Sequence, residues 1–139
     1  MIRRMLVADD GSASGERAFA AALDLARRLS ASLDMICVEE LPRFPATIDE
    51  VEEERAELGG GFAKRVEAAK AKAAAAGVPF AAYVVAGRPV SSVAEFVERR
   101  GYDLLVVGHM GHSGLYNRVV GTAADRLIDL ARCTVMVVK

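Results

Sequence analysis

The sequence predicts an open, doubly wound α/β fold: a five-stranded parallel sheet with helices on both faces, Rossmann-like in plan. Three observations predict it. Five short apolar runs alternate with helix-period segments, the order of an α/β sheet. Most of those runs are continuous and rich in Val, Leu and Ile rather than alternating, which marks strands covered on both faces. The chain has 139 residues, which suits a single domain spanning 1–139. That length lets it bury roughly 68% of its unfolded surface without staples.

The first strand is expected over residues 5–9, where Met5, Leu6 and Val7 run into Asp9 and Asp10. A helix follows over 14–29, with Ser12 or Ser14 as its cap. Residues 32–38 form the second strand. The next segment, 48–76, has helical period but contains Gly59, Gly60 and Gly61. Each glycine costs about 1 kcal/mol relative to alanine in a helix. The expectation is therefore a loop at 41–45, an acidic helix over 49–58, a kink, and a basic, alanine-rich helix over 62–76. One continuous rod would also fit, because acid-then-base order complements the helix dipole. Gly77 stops this segment, and residues 80–86 form the third strand. Pro89 suits the first turn of a helix over 90–100, with Ser91 and Ser92 as alternative caps, and Gly101 ends it. The fourth strand spans 103–108, the last helix 122–131 and the last strand 134–138. Were that strand an edge, its unpaired N–H and C=O groups would invite a second chain. Val135, Val137 and Val138 would then form an apolar dimer seam.

Composition excludes several classes. Apolar residues make up 53% and charged residues 27% of the chain, which fits a soluble globular protein rather than a disordered one. The net charge is −1 and there is no tryptophan. With no basic stripe, the chain lacks the clustered cations that nucleic acid binding requires. No apolar run approaches the roughly 18 residues of a membrane span. Met5, Leu6, Val7 and Ala8 are far too short for the apolar part of a signal peptide, so the cytoplasm is the expected location. Cys37 and Cys133 each sit in an apolar run and are expected to be buried core residues, not a disulfide or metal pair.

The most informative stretch is GHMGHSGLYNRVVGT, residues 108–122. It joins a strand end to a helix start. Gly111 and Gly114 would let the backbone fold over an anion. Gly121 and Thr122 would aim free N–H groups and a hydroxyl at it. The first strand ends in the comparable turn Asp10, Gly11, Ser12. In open parallel sheets, ligands lie beyond the carboxyl ends of strands where the strand order reverses. Asp10 could accept hydrogen bonds from a ribose or an adenine, hold Mg²⁺ through water, or cap the turn. Asp9 is expected to face solvent or shape the turn. His109 and His112 could contact phosphates or be surface histidines. Arg118 could neutralise phosphate or be solvated, and Tyr116 suits packing. There is no GxxxxGK[ST], so this is not a P-loop NTPase; the GxGxxG dinucleotide fingerprint and the nucleophile-elbow pattern are also absent. Nothing nominates a strong general base, and no metal-ligating set is assigned.

These segments together resemble the universal stress protein family over the whole chain. Met5 to Ser12 is similar to that family's first strand and Asp-Gly-Ser turn. Gly87, Arg88 and Pro89 resemble its third-helix start, and Tyr102 to Gly108 its fourth strand. Gly108, Gly111, Gly121 and Thr122 match its nucleotide signature G-x2-G-x9-G-[ST]. The resemblance implies strand order 3-2-1-4-5, a homodimer through the last strand, and binding of ATP or AMP, with Mg²⁺ expected alongside. It implies that Ala8, Asp10 and Val38 border adenine and ribose, with Val107 and Gly108 beside the ribose. Gly111, His112, Gly121, Thr122 and Ala123 would hold phosphates, as would Ser113 more weakly. Asp9 departs from the family pattern, where an apolar residue or Thr is usual. Thr134 stands where Pro is frequent, and the triple glycine is unusual. The leading functional reading is a regulatory module that signals nucleotide state to an unnamed protein partner. The competitors are a slow ATPase or nucleotidyl-transfer enzyme, and a nucleotide-free dimerisation scaffold.

Overall fold

Met5, Leu6 and Val7 are fully shielded from solvent, and the sheet is built outward from them. The computed structural model describes residues 1–40, 48–110 and 122–139, with the description of 48–60 and 122 limited to the backbone. The elements run β1 (Arg4–Ala8), α1 (Ala13–Leu29), β2 (Ser32–Glu40), α2 (Ile48–Ala76), β3 (Phe80–Gly87), α3 (Pro89–Arg100), β4 (Leu104–Gly108), α4 (Thr122–Leu130) and β5 (Thr134–Val138). The five strands lie in the order β3-β2-β1-β4-β5, and every neighbouring pair is parallel. The expected α/β class, strand count and order are all present.

Strand alternation divides the core into two layers. Met5, Val7, Leu33, Met35, Cys37, Leu104 and Val106 pack against Ala18, Phe19, Ala22 and Ala26 of α1 and against Phe62 and Ala69 of α2. Leu6, Ile36, Leu105 and Val107 face the other way, onto Val90, Val93 and Val97 of α3 and Ala124 and Leu127 of α4. Small residues on α1 let that helix lie close to the sheet. Phe19 meets Phe80 of β3 edge-on, with ring centroids 5.9 Å apart.

Local chemistry sets the helix ends. Ser12 caps α1, its side chain accepting from the Gly15 N–H. Ser30 closes α1 in the left-handed region (φ 54°), where its N–H reaches back to the carbonyls of Ala26 and Arg27. Gly101 closes α3 with φ 67°. Pro89 occupies the first turn of α3, but its cap is Arg88 rather than a serine, and no side chain supplies the cap hydrogen bond. The expected kink in the second helix is absent: α2 runs as one helix of 29 residues through Gly59, Gly60 and Gly61. The propensity penalty is weak, and the buried face of α2 lies beyond the glycines, at Phe62, Ala69 and Ala73. At the amino ends of the strands, Asp103 accepts backbone N–H bonds from Arg3 and Arg4. Tyr102 donates its hydroxyl to Asp34 at 2.6 Å. No helix among the described residues is long and apolar enough to cross a membrane.

Candidate functional site

The chain order reverses across β1, which lies between β2 and β4. The crevice outside the carboxyl ends of β1 and β4 is therefore where a parallel sheet binds ligands. On the α3 and α4 side of that crevice, Ala8 and Val38 pack against the cluster containing Val107 and Ala124. Ala123 is exposed beside it at the start of α4. The two strands that carry Ala8 and Val38 are in fixed register, with Ala8 opposite Ile36. Ala8, Val38 and Val107, three of the sequence-predicted site positions, thus gather on one face of the sheet. Gly111, His112, Ser113 and Gly121 lie outside the described residues, as do Gly114, Tyr116 and Arg118. Thr122 opens α4, described at its backbone.

Asp10 is exposed in the turn after β1. Its Oδ1 accepts from the Ser12 N–H at 2.9 Å and from the Ser12 hydroxyl. The Ser12 hydroxyl oxygen in turn accepts from the Gly15 N–H at 3.0 Å. Asp10 is therefore part of the helix-capping turn as well as a carboxylate at the crevice.

Gly108 has a packing reason that sequence inspection did not show. A Cβ there would lie 2.5 Å from the Ser14 Oγ and 2.9 Å from the Ser14 carbonyl carbon and oxygen. The first turn of α1 thus leans directly on the end of β4. Buried Ser14 also accepts from the Met110 N–H at 3.0 Å. That bond ties the β1–α1 turn to the segment leaving β4. His109 continues the sheet pairing, its N–H donating to the Val138 carbonyl at 2.8 Å.

Asp9 does not face solvent, being 5% exposed, but it does shape the turn, its Oδ1 accepting from the Gly11 N–H at 3.0 Å. It turns to the opposite side of the sheet from Ala8, where α2 supplies a partner. Arg65 donates from Nε to Asp9 Oδ2 and from Nη2 to Asp9 Oδ1, both at 2.7 Å. The same Nη2 reaches the Ser12 carbonyl at 3.0 Å. The pair with Asp9 raises the affinity of the Arg65 guanidinium for its proton. Burial, and then the charge of Asp9, push the neighbouring Cys37 thiol up to about 12. Cys37 is therefore an inert core thiol, and both cysteines are free. Sequence reasoning missed Arg65, although a signal was present. Arg65 lies three residues after Phe62 and four before Ala69, both buried, so it belongs to the inward face of α2.

Two cavities lie away from the crevice beside Ala8 and Val107. Between α1 and α2, a space of about 50 Å³ is lined by Asp9, Glu16, Phe19, Met35, Arg65 and Lys72 among others. It is far below the roughly 300 Å³ that small-molecule sites begin at. A larger open hollow of about 370 Å³, bordered by Tyr102, Asp103, Arg132 and Cys133, has the volume. It lies at the amino ends of the strands, the wrong end for a parallel-sheet ligand. Among the described residues, no three His, Cys, Asp or Glu side chains are grouped to hold a metal ion.

The fold defines a doubly wound α/β protein with a crevice at the carboxyl ends of β1 and β4, where the strand order reverses. The sequence model of the universal stress protein family matches residues 1–139, and the chain belongs to that family. Universal stress protein YxiE of Bacillus subtilis is 30% identical over 151 residues, covering 100% of each chain. Universal stress protein UspA from Lactobacillus plantarum superposes with a TM-score of 0.82 at 21% identity, over 99% of this chain and 97% of that one. A universal stress protein solved in complex with cAMP gives a TM-score of 0.75 at 26% identity, over 99% of this chain and 97% of that one.

Proposed function

We propose that this chain is a regulatory module that binds an adenine nucleotide, ATP or AMP, in the crevice at the carboxyl ends of β1 and β4. In this reading Ala8, Asp10 and Val38 border adenine and ribose, and Val107 and Gly108 lie beside the ribose. Gly111, His112, Ser113, Gly121, Thr122 and Ala123 hold the phosphates, with Mg²⁺ arriving on the phosphates. The observation that carries the reading is the apolar patch of Ala8, Val38 and Val107 beside the Asp10 turn, at the strand ends that the glycine signature flanks. A flat base suits such a patch, and a carboxylate suits ribose hydroxyls. The similar protein solved with cAMP supports an adenine nucleotide as the ligand class.

The bound state would be read by a protein partner, from a homodimer formed through β5 in the cytoplasm. Support for the dimer comes from the position of β5 at the sheet edge and from half-buried Val135, Val137 and Val138. Ile128 and Leu130 of the adjacent α4 are 47% and 51% exposed, which extends the apolar edge. Sedimentation of the purified chain checks this: a monomer at tens of micromolar overturns the dimer. The ligand reading is tested by displacement of a fluorescent ATP analogue by AMP, ADP, ATP and cAMP, with phosphate release followed in parallel. Displacement that Asp10→Ala weakens, with little phosphate released, is the expected result. Failure of every adenine nucleotide to compete overturns it. Enzyme-dependent turnover lost in Gly121→Leu would replace the sensor with an ATPase.

A further inference from the structure

Stability is a poor explanation for the Asp9–Arg65 pair. Asp9 has 4% of its side chain exposed and Arg65 25%. Removing two charges from water costs about as much as their attraction returns, so an apolar pair of similar volume would serve a core equally well. What the pair does that an apolar pair cannot do is fix positions. One guanidinium makes three directed hydrogen bonds onto the turn after β1, two to Asp9 and one to the Ser12 carbonyl. Asp9 Oδ1 also accepts from the Gly11 N–H at 3.0 Å. Asp10 sits between these fixed points, and its own Oδ1 is bonded to the Ser12 N–H. Gly15 makes the arrangement sterically feasible, because a Cβ there would lie 2.4 Å from Asp9 Oδ1 and 3.1 Å from Asp10 Oδ1. The anchor of Arg65 is itself rigid: the same helix face carries buried Phe62, Ala69 and Ala73.

We infer that Arg65, acting through Asp9 and Ser12, is a positioning residue that holds the Asp10 carboxylate toward the ribose of a bound nucleotide. The inference rests on the site reading proposed above. It assigns to α2, on the far side of the sheet from Ala8 and Val107, control over how strongly the site discriminates a ribose from a deoxygenated sugar. A bidentate guanidinium is the group for this task, since a lysine supplies the charge without the planar fork.

The test compares AMP with 2′,3′-dideoxy-AMP, titrated into the full chain well below each variant's unfolding temperature. The wild-type chain is expected to prefer AMP by ~10-fold or more, the usual worth of a hydrogen bond to a charged group. Arg65→Met is expected to bring that preference down to ~3-fold or less, while its affinity for the dideoxy nucleotide stays near wild type. Arg65→Lys should recover part of the preference, and it serves in place of the methionine variant if that one does not fold. A merely structural role would lower the unfolding temperature and leave the ratio alone. Retention of the wild-type ratio in Arg65→Met or Arg65→Lys, alongside its loss in Asp10→Ala, overturns the role of Arg65 and leaves the site reading intact. A wild-type chain that binds neither nucleotide, or both equally, overturns Asp10 as the ribose acceptor and this inference with it.

Discussion

Gly15→Ala adds one methyl group to the first turn of α1, and the sign of its effect tests the packing of the β1–α1 turn. Helix propensity alone favours alanine by about 1 kcal/mol in a helix interior, and by less this close to the cap. The geometry opposes it. The added Cβ would sit 2.4 Å from Asp9 Oδ1, with Asp10 Oδ1 at 3.1 Å and the Asp10 N at 3.4 Å. Asp9 Oδ1 has no easy retreat, because Arg65 Nη2 holds it at 2.7 Å and the Gly11 N–H at 3.0 Å. Overpacking of this kind costs about 1–3 kcal/mol, and a weakened charge-assisted hydrogen bond adds about 1.5 kcal/mol or more. Set against the propensity gain, the net expectation is a loss of about 2–3 kcal/mol. For a chain of this size that corresponds to a fall in Tm of roughly 5–10 °C. Urea unfolding followed by circular dichroism measures it. In an Asp9→Ser background the obstructing carboxylate is gone, so the same substitution should be neutral or stabilising by up to about 1 kcal/mol. The coupling between the two sites should thus reach about 2 kcal/mol or more. A Gly15→Ala protein more stable than wild type, or an equal effect in both backgrounds, would refute the reasoning.

Other expectations follow from the same geometry. Arg65→Met leaves a buried carboxylate unpaired and should cost about 3–5 kcal/mol, most of it recovered when Asp9→Thr is added; urea midpoints of the three variants check this. Gly108→Ala should destabilise by about 2 kcal/mol or more. Ser14→Ala should not relieve it, because the obstacle includes the Ser14 backbone at 2.9 Å. Alkaline stability should depend on Cys37. Its thiol loses its proton near 9.0 when unfolded and is pushed up to about 12 in the fold. The unfolded chain therefore ionises first, and stability falls as pH rises from about 9 toward 12, by at most about 1.4 kcal/mol per pH unit from this group. Tyr102, raised by burial and by Asp34, adds to the fall above pH 10.0, its ordinary value. Cys37→Ala should flatten the portion that begins near pH 9.0, as read from urea midpoints across that range.

Much of the fold was legible because buried parallel strands have a plain sequence form. Leu104, Leu105, Val106 and Val107 are all buried, and a four-residue apolar run is what covering both faces requires. Cap chemistry was equally local, as Ser12 and Gly101 illustrate. The strand order was not available from periodicity and came from resemblance to the family. Two errors have physical causes. Three consecutive glycines carry only a weak local penalty, and α2 continues through them where propensity predicts a kink. A carboxylate at a strand end is ordinarily solvated, and nothing near Asp9 in the sequence announces a partner 56 residues away. Gly108 shows a different limit. A glycine before a ligand loop reads as ligand-facing, yet a Cβ there would meet the hydroxyl and then the backbone of Ser14, a contact that only the folded chain creates.

The most direct test of the account is a calorimetric titration of the nucleotide-stripped full chain with MgATP. The account expects saturable binding close to one nucleotide per chain, abolished in Gly121→Leu, whose side chain would bar phosphate from the helix start. Absence of heat at several temperatures, with no nucleotide retained on filtration, would contradict it and leave a nucleotide-free dimerisation scaffold in its place.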